Sequence, residues 1–375
     1  MPAHESERLK QNLIEKAHQL GFVLAGVTTA LPPESFPKFQ EWIAEGRHAG
    51  MSYLATERSL SRRSDPRQIL PECCSILVLG IPYDRPNHPS GGVAAYAWGD
   101  DYHDVLKPRL QAVVAYLEDQ VGHPVPNRWY TDTGPLLERD LARRAGLGWI
   151  GKNSMLINPQ QGSYFILAEI LLGIDLPADD PLITDHCGSC TRCLDHCPTG
   201  CILPDRTLDA GRCISYLTIE NKGEIPRDLR EQVGSWLFGC DICQQVCPWN
   251  RFAVERGDER FAPRLGVPPK NLVDEVTLSA EAFNHKFKGS PVKRAKRRGY
   301  LRNTAVVLGN RGWLEDLPGL AAALEDSESI VRQHAAWALG KIGGTAARQA
   351  LQNALAFETE TTVIAEIEAS LSLLE

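Results

Sequence analysis

No stretch of this chain approaches the roughly 18 uncharged apolar residues that a membrane-spanning helix needs, so a bilayer span is left out of its reading. The start, MPAHESERLK, lacks the basic-then-apolar form of a secretory signal; it is polar and partly acidic and points to a cytoplasmic protein. Heptads and low-complexity tracts are missing, which sets aside coiled coils and disordered arrays. Positive charge is not in excess: 40 Lys and Arg stand against 47 Asp and Glu, a formal net charge of −7. Any affinity for a polyanion must therefore be local. The rest of the composition, 43% hydrophobic and 23% charged, is ordinary for a globular chain. At 375 residues there is room for two or three domains.

The first half alternates helical and strand-like patterns. ERLKQNLIEKAHQLG has helical periodicity and runs into FVLAGV, an apolar strand. SILVLGIPY from Ser75 reads as a second strand, followed by a turn-rich loop, DRPNHPSGG. Val105–Val121 reads as an amphipathic helix and YFILAEILLGIDL from Tyr164 as buried strand. One boundary falls near Asp180 and another in the Pro-rich residues 257–280. Beyond lies a helical tail with an internal echo about 30 residues apart: RNTAVVLG from Arg302 and RQHAAWALG from Arg332, the second one residue longer. Two units of a HEAT-like repeat bury too little by themselves. The tail must pack on the rest of the chain or offer its open face to a partner.

Cysteine is what the sequence has in an unusual arrangement. Nine of its eleven cysteines fall between Cys187 and Cys247, and the other two are the adjacent Cys73 and Cys74. Such clustering speaks for metal ligation rather than disulfides. CGSCTRCLDHCP is C-x2-C-x2-C-x3-C-P, the run of two-cluster bacterial ferredoxins, in which the fourth cysteine ligates the other cluster. CDICQQVCP supplies a second set, with Cys213 between. By that rule Cys187, Cys190, Cys193 and Cys247 hold one 4Fe–4S cluster and Cys197, Cys213, Cys240 and Cys243 the other. Zinc is the alternative, since C-x2-C knuckles bind it as well; the triple run ending in C-P favours iron and sulfide. Cys201 reads as a small buried residue beside a cluster.

Three other motifs are weaker. GLGWIGKN from Gly146 matches a Gly-rich nucleotide loop, but that reading requires a preceding strand. LLERDLARRAG before it is helical, with Gly146 at its C-terminal end. Asp101-Tyr-His begins a D-x-H-x-x-G cobalamin signature that fails at Leu106, leaving a polar segment that opens a helix. In YTDTGPLLERD, Asp132 reads first as a helix cap with Pro135 at the first helical position, and only second as a proton donor.

One basic stretch stands out against the acidic background. From Ala282 to Leu314 there are nine Lys or Arg and no Asp or Glu, and eight of the nine lie in KFKGSPVKRAKRRGYLR. The run is either a solvated face or a polyanion site built on Lys286, Lys288, Lys293, Arg294, Lys296, Arg297, Arg298 and Arg302. In the second case Phe287 and Tyr300 would add stacking.

Taken in order, YAWGDDYH, TDTGPLLER, GWIGKNS, the double-cluster cysteine block, FKGSPVKRAKRRGYLRN and the HEAT-like tail closely resemble the epoxyqueuosine reductase family over nearly the whole chain. The resemblance implies an α+β protein in three parts. These are an α/β cobalamin-binding catalytic domain over 1–180, a ferredoxin-like domain with two 4Fe–4S clusters over 181–260, and a HEAT-like tail with a basic tRNA-binding segment over 280–375. It implies a monomeric cytoplasmic oxidoreductase that reduces epoxyqueuosine to queuosine at the tRNA wobble position, fed by a flavodoxin- or ferredoxin-type donor. The N-terminal part is similar to the corrinoid domain of reductive dehalogenases, and cobalamin is held without a histidine under the cobalt. Asp132 matches the family's proton donor. Arg58, Ala97, Asn153 and Ser163 fall in segments like its corrinoid-binding stretches, and Ser215, Lys222 and Asp241 reach corrinoid or substrate. Two rivals stand beside this reading: a dehalogenase-like corrinoid enzyme acting on a small molecule, and a non-catalytic ferredoxin-type carrier.

Overall fold

The computed structural model describes residues 2–86 and 92–374; part of the DRPNHPSGG loop lies outside the described residues. The chain divides into two compact units, each assembled from separate stretches. Met1–Pro89, Gly99–Ala210 and Ile242–Ala262 make the first, and Ser90–Trp98, Gly211–Asp241 and Pro263–Glu375 the second. The cysteine block is thus shared out: Cys213 and Cys240 belong to the second unit and the other seven of its nine to the first.

The first unit is built on a four-stranded sheet of β1 (Leu24–Thr29), β2 (Ser75–Pro82), β3 (Asn127–Tyr130) and, after a small hairpin of β4 (Trp149–Ile150) and β5 (Leu156–Ile157), β6 (Phe165–Leu172). Their order is β1-β2-β6-β3 and every ladder is antiparallel. Among the described residues, the expected α/β half is therefore helices laid on an antiparallel sheet. β2 is buried at all eight positions, as its near-continuous apolar sequence requires of a strand covered on both faces. Ile76 and Val78 meet Leu141 and Ala142 of the helix Glu138–Arg144. The helices Ala3–Gln19 and Tyr102–Val121 pack on each other and on β1 and β6. Leu9, Leu13 and Ala17 recur every four residues on the buried side of the first of these. The second starts three residues earlier than its periodicity indicated, because the Asp101 carboxylate accepts the His103 N–H at 3.0 Å.

The second unit is mainly helical, and its helices Lys296–Arg311, Ser329–Ile342 and Thr361–Ser372 pack in succession. The echo has a packing cause. A Cβ on Gly309 would lie 2.7 Å from Trp337, and one on Gly340 would lie 2.6 Å from Ser370, so each copy ends where the next helix comes closest. The tail does not leave its inner face open. Asn303 Nδ2 donates to the carbonyls of Thr218 (2.8 Å) and Leu237 (2.7 Å). Asn310 Nδ2 donates to those of Arg230 and Gly234 at 2.8 and 2.9 Å. His334 Nε2 accepts the Ile225 N–H at 3.1 Å. Burial, with Arg230 and Arg302 nearby, holds His334 well below the usual histidine range, as an accepting ring nitrogen demands. Among the described residues no helix is long and apolar enough to cross a membrane.

The two Asn303 bonds satisfy buried carbonyls that have no water to turn to, which generates a direct expectation. Asn303→Ala strands two buried acceptors and should destabilise the protein by about 2 kcal/mol or more. Chemical denaturation would measure this, and a loss within about 0.5 kcal/mol would show that the 211–241 stretch is held by packing alone.

Candidate active site

Thr131 ends β3 by donating its hydroxyl to the Leu167 carbonyl at 2.8 Å. The chain then turns sharply, and Gly134 is required there because a Cβ would meet the Tyr130 side chain at 2.6 Å. Asp132 does not cap a helix: the helix begins at Glu138 with Leu137 at the cap position. Asp132 instead sits exposed at φ +58°, a left-handed conformation that costs a side-chain residue about 1 kcal/mol. Its N–H donates to Glu138 Oε1 at 2.7 Å, and its Oδ2 accepts the Tyr102 hydroxyl at 2.7 Å. The Tyr102 ring stacks on His103 with centroids 4.2 Å apart, and His103 Nδ1 lies 2.7 Å from Asp101 Oδ1. Burial works against a charged His103, but the Asp101 carboxylate outweighs it and raises its pKa. Its Nε2 is buried and finds no partner among the described residues.

Arg58 is exposed on the helix Glu57–Ser64. The residue of that helix that reaches the acid loop is Arg63, which donates to the Gly134 carbonyl at 3.5 Å and lies in the field of Glu138. Asn153 and Ser163 are both buried and turned toward the Ile242–Ala262 stretch. Asn153 Nδ2 donates to the Cys243 carbonyl at 3.2 Å. Ser163 accepts Gln244 Nε2 at its carbonyl (2.9 Å), and its N–H donates to Asn250 Oδ1 at 2.6 Å. Both residues brace the cysteine segment.

None of the eleven cysteines is in a disulfide. Burial pushes the Cys193 and Cys247 thiols up, and in each case charge on neighbouring sulfurs adds to it: Cys187 and Cys247 on Cys193, Cys187 and Cys190 on Cys247. Cys193 and Cys247 thus each lie in the field of other cysteines expected on the same cluster. Lys152 straps their loop through the carbonyls of Gly188 (2.8 Å) and Cys190 (2.9 Å). Trp149, His186 and Trp249 wall it with ring centroids 4.9–5.3 Å apart. No group of three or more His, Cys, Asp or Glu among the described residues closes around a single ion; a cubane binds each thiolate at a different iron and needs no such convergence. Cys201 is buried with its sulfur 3.5 Å from that of Cys197, and this contact is the main cause that takes Cys197 down to about 5. Next to Cys247 a cleft of about 670 Å³ is lined by Arg85, Arg192, His196 and Arg251, with no carboxylate among its lining residues.

In the second unit Asp241 is buried and its Oδ2 accepts the Ala95 N–H at 2.7 Å, which places it on the turn that carries Ala97. Burial raises Asp241 to about 7. Ser215 lies on the short helix Ile214–Ile219. Lys222 donates to the carbonyls of Ile219 and Arg294 at 3.1 and 3.3 Å. The basic run is only partly a surface. Arg302 is buried and spends its guanidinium on the carbonyls of Leu217, Asn221 and Gly223, so it is withdrawn from any RNA contact. Phe287 and Tyr300 are buried as well and do not offer stacking faces. Lys286 is ion-paired with Glu275 and Arg297 with Asp326. Lys288, Lys293, Arg294, Lys296 and Arg298 are exposed, with Arg294 2.7 Å from Glu220.

The sequence reading missed Glu138 and Glu169. The first lay inside the stretch read as a cap and helix. The second was visible as the one charged residue in the apolar strand FILAEILL.

Against known proteins, residues 186–250 match the 4Fe-4S double cluster binding domain, 63–133 the family described as Epoxyqueuosine reductase QueG, DUF1730, and 298–372 HEAT repeats. The epoxyqueuosine reductase of Xanthomonas campestris is 40% identical over 338 residues, covering 87% of this chain and 94% of that protein. That of Escherichia coli is 36% identical over 343 residues, 89% of each. Among solved structures, an epoxyqueuosine reductase with an epoxyqueuosine-modified tRNA-Tyr stem loop superposes with a TM-score of 0.91 at 33% identity, covering 98% of this chain and 99% of that one. The Bacillus subtilis epoxyqueuosine reductase with its catalytic loop swung out of the active site gives 0.89 at 33% identity, over 99% and 100%.

The mutual field of the four thiols leads to an iron-content test. Anaerobically prepared protein should hold about eight iron and eight sulfide per chain. Cys247→Ser should lose roughly half of both, by disabling the cluster of Cys187, Cys190 and Cys193. Stoichiometric zinc without iron would overturn the assignment.

Proposed function

The chain belongs to the epoxyqueuosine reductase family, and on that premise we propose that it reduces epoxyqueuosine to queuosine at the tRNA wobble position, as a cytoplasmic, monomeric, cobalamin-dependent iron–sulfur oxidoreductase. The observation that carries the chemistry is Asp132, exposed in a strained turn and held at both its N–H and its carboxylate. We keep the domain cuts at 1–180, 181–260 and 280–375, with Cys187, Cys190, Cys193 and Cys247 on one cluster and Cys197, Cys213, Cys240 and Cys243 on the other. When bound, the clusters supply electrons singly and cobalamin supplies the strongly reducing centre that a two-electron deoxygenation calls for. Cys193 and Cys247, each in the field of other cysteines of their set, fit a cluster. The unpartnered His103 Nε2 beside the acid loop fits a bound polar group. Of the expected corrinoid contacts, Arg58, Asp132, Asn153 and Ser163 are in the first unit and Ala97, Ser215, Lys222 and Asp241 in the second; these rest on the resemblance.

Asp132 acts as a general acid for the departing epoxide oxygen. Tyr102 keeps its Oδ2 in place, and the backbone bond to Glu138 keeps the turn from relaxing. The electron donor is an acidic flavodoxin- or ferredoxin-type carrier; the cleft beside Cys247, basic and without lining carboxylates, favours such a partner by charge. The tRNA partner follows from the family, and the exposed Lys288, Lys293, Lys296 and Arg298 are the local cations suited to its phosphates.

Anaerobic incubation with epoxyqueuosine-containing tRNA, cobalamin and a reductant should yield queuosine on nucleoside analysis. Unchanged epoxyqueuosine with loaded protein would sink the assignment. Asp132→Asn tolerates the left-handed turn about as well and should keep iron and cobalamin while turnover falls roughly 10²- to 10⁴-fold. Normal turnover would mean that the proton comes from another group.

Charge reversal at Lys288, Lys293, Lys296 and Arg298 should weaken tRNA binding and flatten its dependence on log salt by roughly 0.7–0.9 per lost phosphate contact. Iron content should stay unchanged. Equal slopes for variant and wild type would make the run a solvated face.

A further inference from the structure

Behind Asp132, in the first unit, lie two carboxyls that the reaction as described does not use. Glu169 is in the middle of β6, in register with Val78 on one side and Tyr130 on the other, and is fully buried. Neither of its oxygens takes a hydrogen bond from any described N–H or O–H. Its near polar neighbour is the carboxyl of Glu138, whose Oε1 accepts the Asp132 N–H at 2.7 Å. Two carboxylates cannot bond to each other without a proton between them, and a buried unpartnered carboxylate is far too costly to persist. The pair must hold at least one proton at neutral pH.

The reaction proposed above sets a requirement that Asp132 alone does not meet. Turning an epoxide into an alkene breaks two C–O bonds, forms one C=C bond and releases the oxygen as water. The step consumes two electrons, which the external donor supplies, and two protons. A single carboxyl such as that of Asp132 can deliver only one proton at a time.

We propose that Glu138 and Glu169 share a stored proton that reprotonates Asp132 within a turnover, so that one acid delivers both protons to the leaving oxygen. This inference rests on the epoxide-reduction reading. Glu138 is the member that faces both ways, toward Glu169 in the interior and toward the Asp132 turn, so the proton leaves the pair at Glu138. Both glutamates act through Asp132 and not on the substrate; they are positioning residues.

The surrounding charges agree with this role. Burial first, then the Asp132 charge, raises Glu138 to about 7. Burial and the Glu138 charge raise Glu169 well above the carboxylate range. Arg139 on the same helix and Arg63 on the helix Glu57–Ser64 are the cations in their field, and Tyr102 and His103 face Asp132 from the helix Tyr102–Val121. They oppose the rise without abolishing it.

Glu169→Gln is the decisive variant, because glutamine copies the shape of a protonated Glu169 and can donate to Glu138. With the repulsion gone, Glu138 ionises at lower pH. The wild-type turnover rate should fall as pH rises through about 7, and in Glu169→Gln that fall should move down by one pH unit or more. Substrate-free protein supplies two further readouts. Infrared spectra at pH 7 should show a protonated-carboxyl C=O band that sharpens or shifts in D2O and is lost in Glu169→Gln. The folded state also holds this proton more tightly than the unfolded chain, whose Glu titrates near about 4.3, so wild type loses stability as pH rises from there toward 7 and beyond, and the variant loses less. Turnover without the band, or superimposable pH profiles, would overturn the stored proton. The band without any turnover would overturn the assigned reaction, and the pair's catalytic role with it.

Discussion

The register between β2 and β6 is the constraint on which the chemistry of the first unit depends. In a strand with two buried faces, a slip of one residue sends every side chain to the opposite face. Here the pairing of Val78 with Glu169 puts the carboxyl on the side where Leu141 and Ala142 pack, and so beneath the helix that starts at Glu138. The same strand sets the acid loop, because Thr131 hangs its hydroxyl on Leu167. Just before the strand, Ser163 bonds Gln244 and Asn250 and so anchors the segment that carries Cys243 and Cys247. One strand therefore locates an acid near its middle and a cysteine segment near its beginning.

The second unit obeys a different rule, the satisfaction of buried carbonyls. The 211–241 stretch has little regular structure to pair its own backbone, yet much of it is buried. Arg302, Asn303, Asn310 and His334 supply the missing partners from the inner faces of the repeat helices. Burial lowers Arg302 to about 9, which leaves it charged at neutral pH, and a charged guanidinium with five donors is suited to a cluster of carbonyls. What looks in sequence like one cationic run is thus two populations. Arg302, Arg297 and Lys286 are structural, while Lys288, Lys293, Lys296 and Arg298 stay in solvent.

That division explains how much the sequence could reveal. Cysteine spacing is a local geometric code, and it pointed to the double-cluster domain that residues 186–250 match. Apolar runs marked β2 and β6 because a doubly buried strand has few alternatives. Asp132 was misread because T-D-T-G-P satisfies every local rule for a helix start, and only the tertiary bonds from Tyr102 and Glu138 decide for a left-handed turn. The basic run was overread for the complementary reason: a lysine in solvent and an arginine on buried carbonyls look alike until the partner segment, 80 residues or so away in the chain, is in place. Glu169 broke the apolar pattern of its strand openly, and a lone acid in such a run points to a paired or protonated carboxyl.

Carrying the acid on β6 and anchoring the cysteine segment at Ser163 ahead of it also separates the two attachment points. From Ser163 to Glu169 is six residues, roughly 20 Å of extended chain. A strongly reducing redox path and a proton store are best kept apart, since electrons that meet accessible protons are lost to side reactions that a closed site suppresses. In this unit the cysteine loop is walled by Trp149, His186 and Trp249, and Glu169 is fully buried in the sheet. Of the three acids, Asp132 is the exposed one, Glu138 is half-buried and Glu169 is fully buried. The strained backbone of Asp132 makes sense on this view, because a relaxed turn would swing the carboxyl away from Tyr102 and leave the stored proton without an exit.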